Sequence, residues 1–305
     1  MLDTLCQMNR RPKPQPRHLA GDDRRPIIGG TSTGGKSMNV PTVDLGGLAV
    51  SRFLMGGNPF SGFSHQSQER SREMVDWYTE DRIAATLFEA QALGLNACIL
   101  RGDEHITSLL DRYWREGGTM RWIAQTNSRM GAPVEAAQYC LDHGASACFL
   151  HGGVMDHLIA QRDHDALYAF AESMRAAGFP AGVAGHMPED FLWAEEHLDL
   201  DFYMVCYYNP SPRQDVPHHD PAAAEQYLIE DRDARVATIA RLTRPVIHYK
   251  ILAAGRTPPA EAFAYAAQQM RPSDAVCVGI YSGDNPNMLA EDVTLLLASL
   301  AAVGQ

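Results

Sequence analysis

No run of about 18 apolar residues occurs anywhere in the 305-residue chain, so no segment is long enough to cross a bilayer as a helix. Cations are also scarce: 26 Lys and Arg stand against 37 Asp and Glu, a formal net charge of −11. Binding a phosphate backbone needs a clustered excess of Lys and Arg, so nucleic acid is not an expected partner. Cysteine is sparse and scattered. The six, Cys6, Cys98, Cys140, Cys148, Cys206 and Cys277, form no C-x-x-C pair and lack the density of a secreted disulfide scaffold, which suits reduced, buried thiols. An export signal is not expected either, because the basic amino-terminal RRPKPQ is followed by no apolar segment before residue 47. A cytoplasmic protein is expected, with neither membrane nor nucleic acid as partner and no signature of a particular oligomeric state.

What is present begins with a 45% hydrophobic content, enough to bury the core of one large α/β barrel or of two ordinary domains. Residues 30–37, GTSTGGKS, satisfy the phosphate-loop pattern G-x-x-x-x-G-K-S. That pattern works only between a buried strand and a helix N-terminus. Only Ile27 and Ile28 could make the strand, and Pro41 falls where the helix should gain its second turn, so the match is read as coincidental. Residues 1–40 are rich in Pro, Gly, Arg and Ser without periodicity, the composition of a flexible extension, and residues 41–305 are expected to form a single folded domain.

Within that domain, short apolar runs alternate with amphipathic segments. AVSRFLM, NACIL, RWIAQ, SACFL, AGVAG, FYMVCYY, PVIHYK and AVCVGI read as strands, several apolar throughout, as burial on both faces of a parallel sheet requires. Helical periodicity falls at 81–93, 105–116, 134–143, 165–177, 188–197, 222–242, 258–270 and 288–300. Eight β-then-α units over about 255 residues match the length and order of a (β/α)8 TIM barrel, with a doubly wound sheet as the alternative. TVDLGGLAVSRFLMGG reads as a hairpin closing the barrel floor before strand one, and 67–77 as an additional helix after it.

In such barrels the reacting groups sit where strands end. The strand ends here supply Asn58 and His65, then Arg101, then Gln125 with Thr126 and Asn127, then His151, His186, Cys206 with Tyr208 and Asn209, and Lys250 followed by Arg256. A lysine at an apolar rim loses hydration, which lowers its pKa toward a range useful for a base or an imine-forming amine; a lysine whose stem snorkels to water is the alternative. His151 and His186 could bond a substrate oxygen, move a proton or ligate a metal, although the nearest carboxylates, Asp156 and Glu189, lie several residues into their loops. Residues 217–220, PHHD, suit a helix cap by Asp220 better than a ligand pair. Glycine loops after strands seven and eight, with Arg256, could hold an anionic group.

Taken in order, GGLAVSRFLMGGNPF, GLNACIL, CFLHGG, FYMVCYYNPSP, VIHYKILAAGR and VGIYSGDNPNMLAEDV resemble the aldo-keto reductase barrel over about residues 42–300. The resemblance implies that fold, an NAD(P) cofactor and hydride transfer assisted by an Asp, Tyr, Lys and His set. Carried over by position, the aspartate falls in 99–101, the lysine becomes Gln125, no tyrosine lies in 101–112, and only His151 matches. An arginine for the adenosine phosphate is absent between Asn287 and Asp292.

These residues favour proton-transfer chemistry on a small carbonyl or sugar-like metabolite, of lyase, hydratase or isomerase type. Lys250, His151 and His186 would be catalytic, and Asn58, Arg101, Gln125, Cys206, Tyr208, Asn209 and Arg256 would bind substrate. The alternatives are an NAD(P)-dependent reductase, a divalent-metal sugar isomerase and an inactive barrel used for binding; no strong motif supports either cofactor.

Overall fold

A two-stranded antiparallel hairpin leads the chain into the barrel. Its strands, β1 (Thr42–Leu45) and β2 (Leu48–Ser51), are joined through Gly46 and Gly47, both at positive φ, with the Asp44 carboxylate accepting from the Gly47 N–H at 2.8 Å. Asp-Gly-rich two-residue connections of this kind match the twist of the strands they join. The computed structural model describes residues 37–209 and 225–305. The 30–37 motif, save Ser37, and the PHHD segment lie outside the described residues. Residues 37–40, expected within the extension, pack on the domain: the Met38 N–H donates to the Leu93 carbonyl at 3.0 Å and Val40 is buried.

Eight parallel strands then close a barrel in sequence order: β3 (Phe53–Gly56), β4 (Ala97–Arg101), β5 (Arg121–Gln125), β6 (Ala147–Leu150), β7 (Ala181–Gly185), β8 (Phe202–Cys206), β9 (Val246–Tyr249) and β10 (Ala275–Gly279), the last pairing back onto β3. The TIM barrel is thus the fold, and the doubly wound sheet is not. The run AVSRFLM, expected as one strand, is divided at Arg52. That side chain leaves the strand direction and donates from Nε to the Asp274 carbonyl and from Nη2 to the Arg271 carbonyl, each at 2.9 Å. Ala49–Ser51 therefore belongs to the hairpin and the barrel strand starts at Phe53.

The inside of the barrel is a separate apolar core. Leu54, Ile99, Ile123, Phe149, Phe202, Met204 and Ile247 point inward, and Val43, Leu45 and Val50 of the hairpin join the same cluster. The hairpin is the plug of the barrel floor, and the open end is left for chemistry. Outward-facing strand residues such as Phe53, Cys98, Trp122 and Val205 pack instead against the helices.

Those helices are α1 (Gln68–Trp77), α2 (Glu80–Ala92), α3 (Glu104–Arg115), α4 (Pro133–Asp142), α5 (Gly152–Ala160), α6 (His164–Ala177), α7 (Pro188–His197), α8 (Ile229–Ile239), α9 (Pro259–Gln269) and α10 (Met288–Ala302). Side-chain caps explain several starts: Ser67, Thr79, Asp103 and Asp163 each accept an N–H from the first turn. Gly94, at φ +99, ends α2 where a Cβ would sit 2.5 Å from the Met38 carbonyl oxygen, so no other residue fits the turn without moving the chain. Two elements differ from expectation. α8 begins at Ile229, after residues 225–228 outside any helix, while 222–224 lie outside the described residues; α5 is a helix where the sequence suggests a loop, because Gly152 and Gly153, poor helix formers, open it. Among the described residues, no helix is long and apolar enough to cross a membrane.

Candidate active site

At the C-terminal end of the strands the barrel opens into a cavity of about 330 Å³. Its wall takes Asn58 from the end of β3, Arg101 from β4, Gln125, Thr126, Asn127 and Arg129 from β5 and its loop, His151 after β6, His186 after β7, and Tyr249 with Lys250 from β9. Phe149, Ala184 and Met204, inward-facing residues of the barrel core, form its base. A second space of about 230 Å³ continues over the ends of β3, β9 and β10, lined by Ile251, Leu252, Tyr281 and Met288 and sharing Asn58, His65, Arg101 and Lys250 with the first.

Six of the ten residues expected at the site therefore meet in one cavity: Lys250, His151, His186, Asn58, Arg101 and Gln125. The other four do not line it, and each has a physical reason. Cys206 is buried, donates its thiol to the Gly185 carbonyl at 3.2 Å, and is pushed up in pKa by burial despite the nearby Lys250 and Arg235 charges. Tyr208 is buried with its ring 5.4 Å from that of Tyr227. The Asn209 N–H donates to Asp231 at 3.3 Å, which ties it to α8. Arg256 is exposed, donating to the His65 and Ala253 carbonyls at 3.2 Å and stacking 4.2 Å over the Tyr227 ring, so it braces the rim from outside.

His186 carries the most developed set of contacts. Its Nδ1 lies 2.6 Å from Asp156 Oδ2, its backbone N–H donates to Asp156 Oδ1 at 2.9 Å, and Arg235 donates to its carbonyl. Burial pushes the Asp156 carboxyl up, but the His186 imidazole and the N–H bonds outweigh it and hold it below its ordinary range. Asp156 is thus an ionised acceptor facing His186 Nδ1, an arrangement that favours the tautomer with its proton on that nitrogen. Behind Asp156 stands Asp190, whose carboxyl is pushed up to about 8 by burial and then by the Asp156 charge it bonds to. A chain of groups, Asp190–Asp156–His186, therefore runs from beneath α7 to the cavity wall.

Sequence reasoning noted Asp156 only as a distant loop carboxylate. Its partnership with His186 exists because α5 turns the side chain back under β7, where Gly185 and Gly152 leave room: a Cβ on Gly152 would lie 2.9 Å from His186 Cε1. The adjacent glycines after a strand-end histidine were the available signal. Arg129 was missed because it sits on a 3-10 turn, Ser128–Met130, whose start is fixed by Asn127 accepting from the Arg129 N–H at 3.1 Å.

Lys250 ends its strand at φ 58, and its Nζ is shielded from solvent. His65 across the rim is at φ 57, and Ala253 and Ala254 are also left-handed. Each such non-glycine conformation costs on the order of 1 kcal/mol, and strain of this kind gathers where side-chain direction matters more than backbone comfort. Glu225 bonds His65 Nδ1 at 2.8 Å and accepts from the Tyr227 hydroxyl at 3.0 Å. Burial works against its charge, yet the His65 bond and the His65 and Lys250 charges bring its carboxyl down to about 2. His151 opens α5, its backbone N–H donating to Thr126 Oγ1 at 3.1 Å. Among the described residues, no group of three or more His, Cys, Asp and Glu is placed to hold a metal ion.

No protein-family model matches the chain, and no curated protein matches it in sequence. Solved structures share the fold. A putative aldo-keto reductase from Pseudomonas aeruginosa is 18% identical with a TM-score of 0.61, the match covering 88% of this chain and 100% of that one. The glycerol dehydrogenase of Gluconobacter oxydans is 13% identical with a TM-score of 0.50, covering 87% and 96%. A BexX/CysO complex from Amycolatopsis orientalis is 17% identical with a TM-score of 0.51, covering 88% and 98%. The chain has an aldo-keto reductase-like TIM barrel; likeness at these identities concerns architecture, and chemistry must come from the site.

Proposed function

We propose that this barrel is an enzyme acting on a small carbonyl or sugar-like metabolite by acid–base chemistry, of lyase, hydratase or isomerase type. One observation carries the reading: a histidine locked to a buried, ionised aspartate at 2.6 Å lines the same cavity as a lysine amine shielded from water. Paired with Asp156, His186 accepts a proton at Nε2 while the imidazolium that forms is stabilised by the carboxylate, as general-base catalysis requires. The base takes a proton from the carbon next to the substrate carbonyl. The electron pair moves onto the carbonyl oxygen, where the Lys250 ammonium and the Gln125 and Asn58 amides supply hydrogen bonds. Returning the proton to a neighbouring atom completes an isomerisation; loss of a leaving group protonated by His151 completes an elimination. A neutral Lys250 could instead condense with the carbonyl, losing water to give an imine that serves as the electron sink.

A nicotinamide-dependent reaction is the second reading, favoured by the 230 Å³ continuation of the cavity. That space suits a flat apolar group better than a diphosphate. Arg70, which lines this space together with Arg101 and Lys250, is held by Asp284 and by Glu73, the latter at 2.8 Å.

The test is solvent-deuterium uptake. The full chain in D2O, without nicotinamide, is offered short aldoses, ketoses and 2-oxo and 3-hydroxy acids, and carbon-bound deuterium is read by NMR. Uptake next to a carbonyl is expected. Absence of uptake across the panel, with or without NADPH-driven reduction of any member, overturns the acid–base reading.

A further inference from the structure

The cavity wall is electrically one-sided. Its described lining includes two guanidiniums, Arg101 and Arg129, the Lys250 amine and three imidazoles, His65, His151 and His186, but no Asp or Glu, in a chain whose formal charge is −11. The carboxylates nearby sit behind the wall, each against one of these groups: Asp103 at 3.4 Å from Arg101, Glu225 at 2.8 Å from His65, Asp156 at 2.6 Å from His186. Glu225 also feels the Lys250 charge, which helps to hold its carboxyl down. A cleft of one sign in a protein of the other focuses field on whatever enters it.

The two guanidiniums add geometry to the sign. Arg101 and Gln125 are register partners on β4 and β5, and Arg129 follows on the turn after β5, so both arginines come from one side of the mouth. Burial lowers the Arg101 pKa, Asp103 pushes it back up, and the neighbouring Arg129 charge lowers it further, so the two cations are close enough to repel. The Arg101 guanidinium lies 5.3 Å over the Phe63 ring, and both residues line the cavity. Asp103 caps α3 by accepting the Ile106 N–H at 3.1 Å through Oδ1 and faces Arg101 Nε through Oδ2 at 3.4 Å. Neighbouring like-charged guanidiniums are complementary to a compact oxyanion, which each can bond through two parallel N–H groups.

We infer that the substrate carries a terminal oxyanion, a carboxylate or phosphate, held by Arg101 and Arg129 while its carbonyl faces Lys250 and His186. This places the anion on the β4–β5 side of the mouth and not at the glycine loops after β9 and β10, where Arg256 had suggested it. The inference rests on the acid–base reading only for calling the ligand a substrate; the binding itself is independent of turnover.

Calorimetric titration of the full chain with inorganic phosphate and, separately, with pyruvate tests it. Binding of at least one probe is expected, with phosphate and carboxylate distinguished by which binds tighter. Affinity should fall about tenfold or more in Arg101→Met and in Arg129→Ala, and stay within twofold in Arg256→Ala, which lies at the same end of the barrel outside the cavity. Circular dichroism confirms folding of each variant, and Arg129→Ala, at an exposed position, keeps the test alive if Arg101→Met unfolds. Failure of both probes to bind at 100 mM, about a hundredfold above millimolar affinity, or equal weakening by Arg256→Ala, overturns the oxyanion site. Binding as described in a protein that shows no deuterium uptake would leave this site standing and remove the acid–base reading alone.

Discussion

Replacing Asp156 by Asn isolates the pair on which the proposed base depends. The carboxylate accepts His186 Nδ1–H at 2.6 Å and the His186 backbone N–H at 2.9 Å, and it is almost fully buried. In the variant the amide oxygen can keep one of these bonds. The other would face the amide NH2, donor against donor, unless the imidazole shifts its proton to Nε2. A charge-assisted hydrogen bond contributes about 1.5–3 kcal/mol, and stripping one partner from a buried pair costs about 3–5 kcal/mol. Because Asn preserves shape and one acceptor, a loss of about 2–4 kcal/mol is expected at pH 7. Urea unfolding followed by tryptophan fluorescence measures it. In the enzyme the same change moves the ring to the wrong tautomer, and kcat should fall about 10²–10⁴-fold with KM little changed. Nitrogen-15 NMR of the imidazole gives the tautomer directly. A stability change under about 0.5 kcal/mol, the size of an ordinary surface substitution, with the Nδ1–H tautomer retained, would refute the account of this pair.

Three further outcomes follow from neighbouring contacts. Asp190 has its carboxyl raised to about 8, above the ordinary carboxylate range of the unfolded chain, so the folded state holds a proton that the unfolded state releases; its contribution to stability is present at pH 4 and is lost as pH rises toward 8. Asp190→Asn, permanently neutral, should flatten the fall in unfolding free energy between pH 5 and 8 relative to wild type, and an unchanged slope would contradict the assignment. Gly152→Ala sets a methyl 2.9 Å from His186 Cε1 and 3.2 Å from the Gly185 nitrogen, so kcat/KM should drop at least tenfold while circular dichroism stays native. Leu45→Ala empties part of the barrel floor at a fully buried position and should lower stability by about 2–4 kcal/mol in urea without altering KM.

The barrel was legible because parallel strands buried on both faces leave uninterrupted apolar runs, and each of the eight runs from AVSRFLM to AVCVGI contains an observed strand. The errors fall where local pattern yields to tertiary contact. Arg52 divides a strand because its guanidinium finds carbonyls 219 and 222 residues away, a partnership invisible to periodicity. At the site, residues ending a strand were readable by position: Lys250, Gln125, Arg101, His151 and His186 all reach the cavity. One or two residues further, position in the chain no longer places a side chain in the cavity lining. Tyr208 and Asn209 follow β8 but turn into the packing between α8 and the barrel, and Arg256 lies beyond a pair of left-handed alanines that swing it outward. Asp156 sits on α5 and Arg129 on a 3-10 turn, and their directions depend on glycine clearances and an Asn cap that become visible only with the chain folded.

The most direct measurement is kcat/KM of Lys250→Ala on whichever substrate shows solvent-deuterium uptake. With Lys250 supplying either the electron sink or the hydrogen bond to the developing oxyanion, activity should fall by at least about 10²-fold, with the cavity otherwise intact. A variant within threefold of wild type would remove the lysine from the chemistry and contradict the claim that amine and imidazole act together in this cavity.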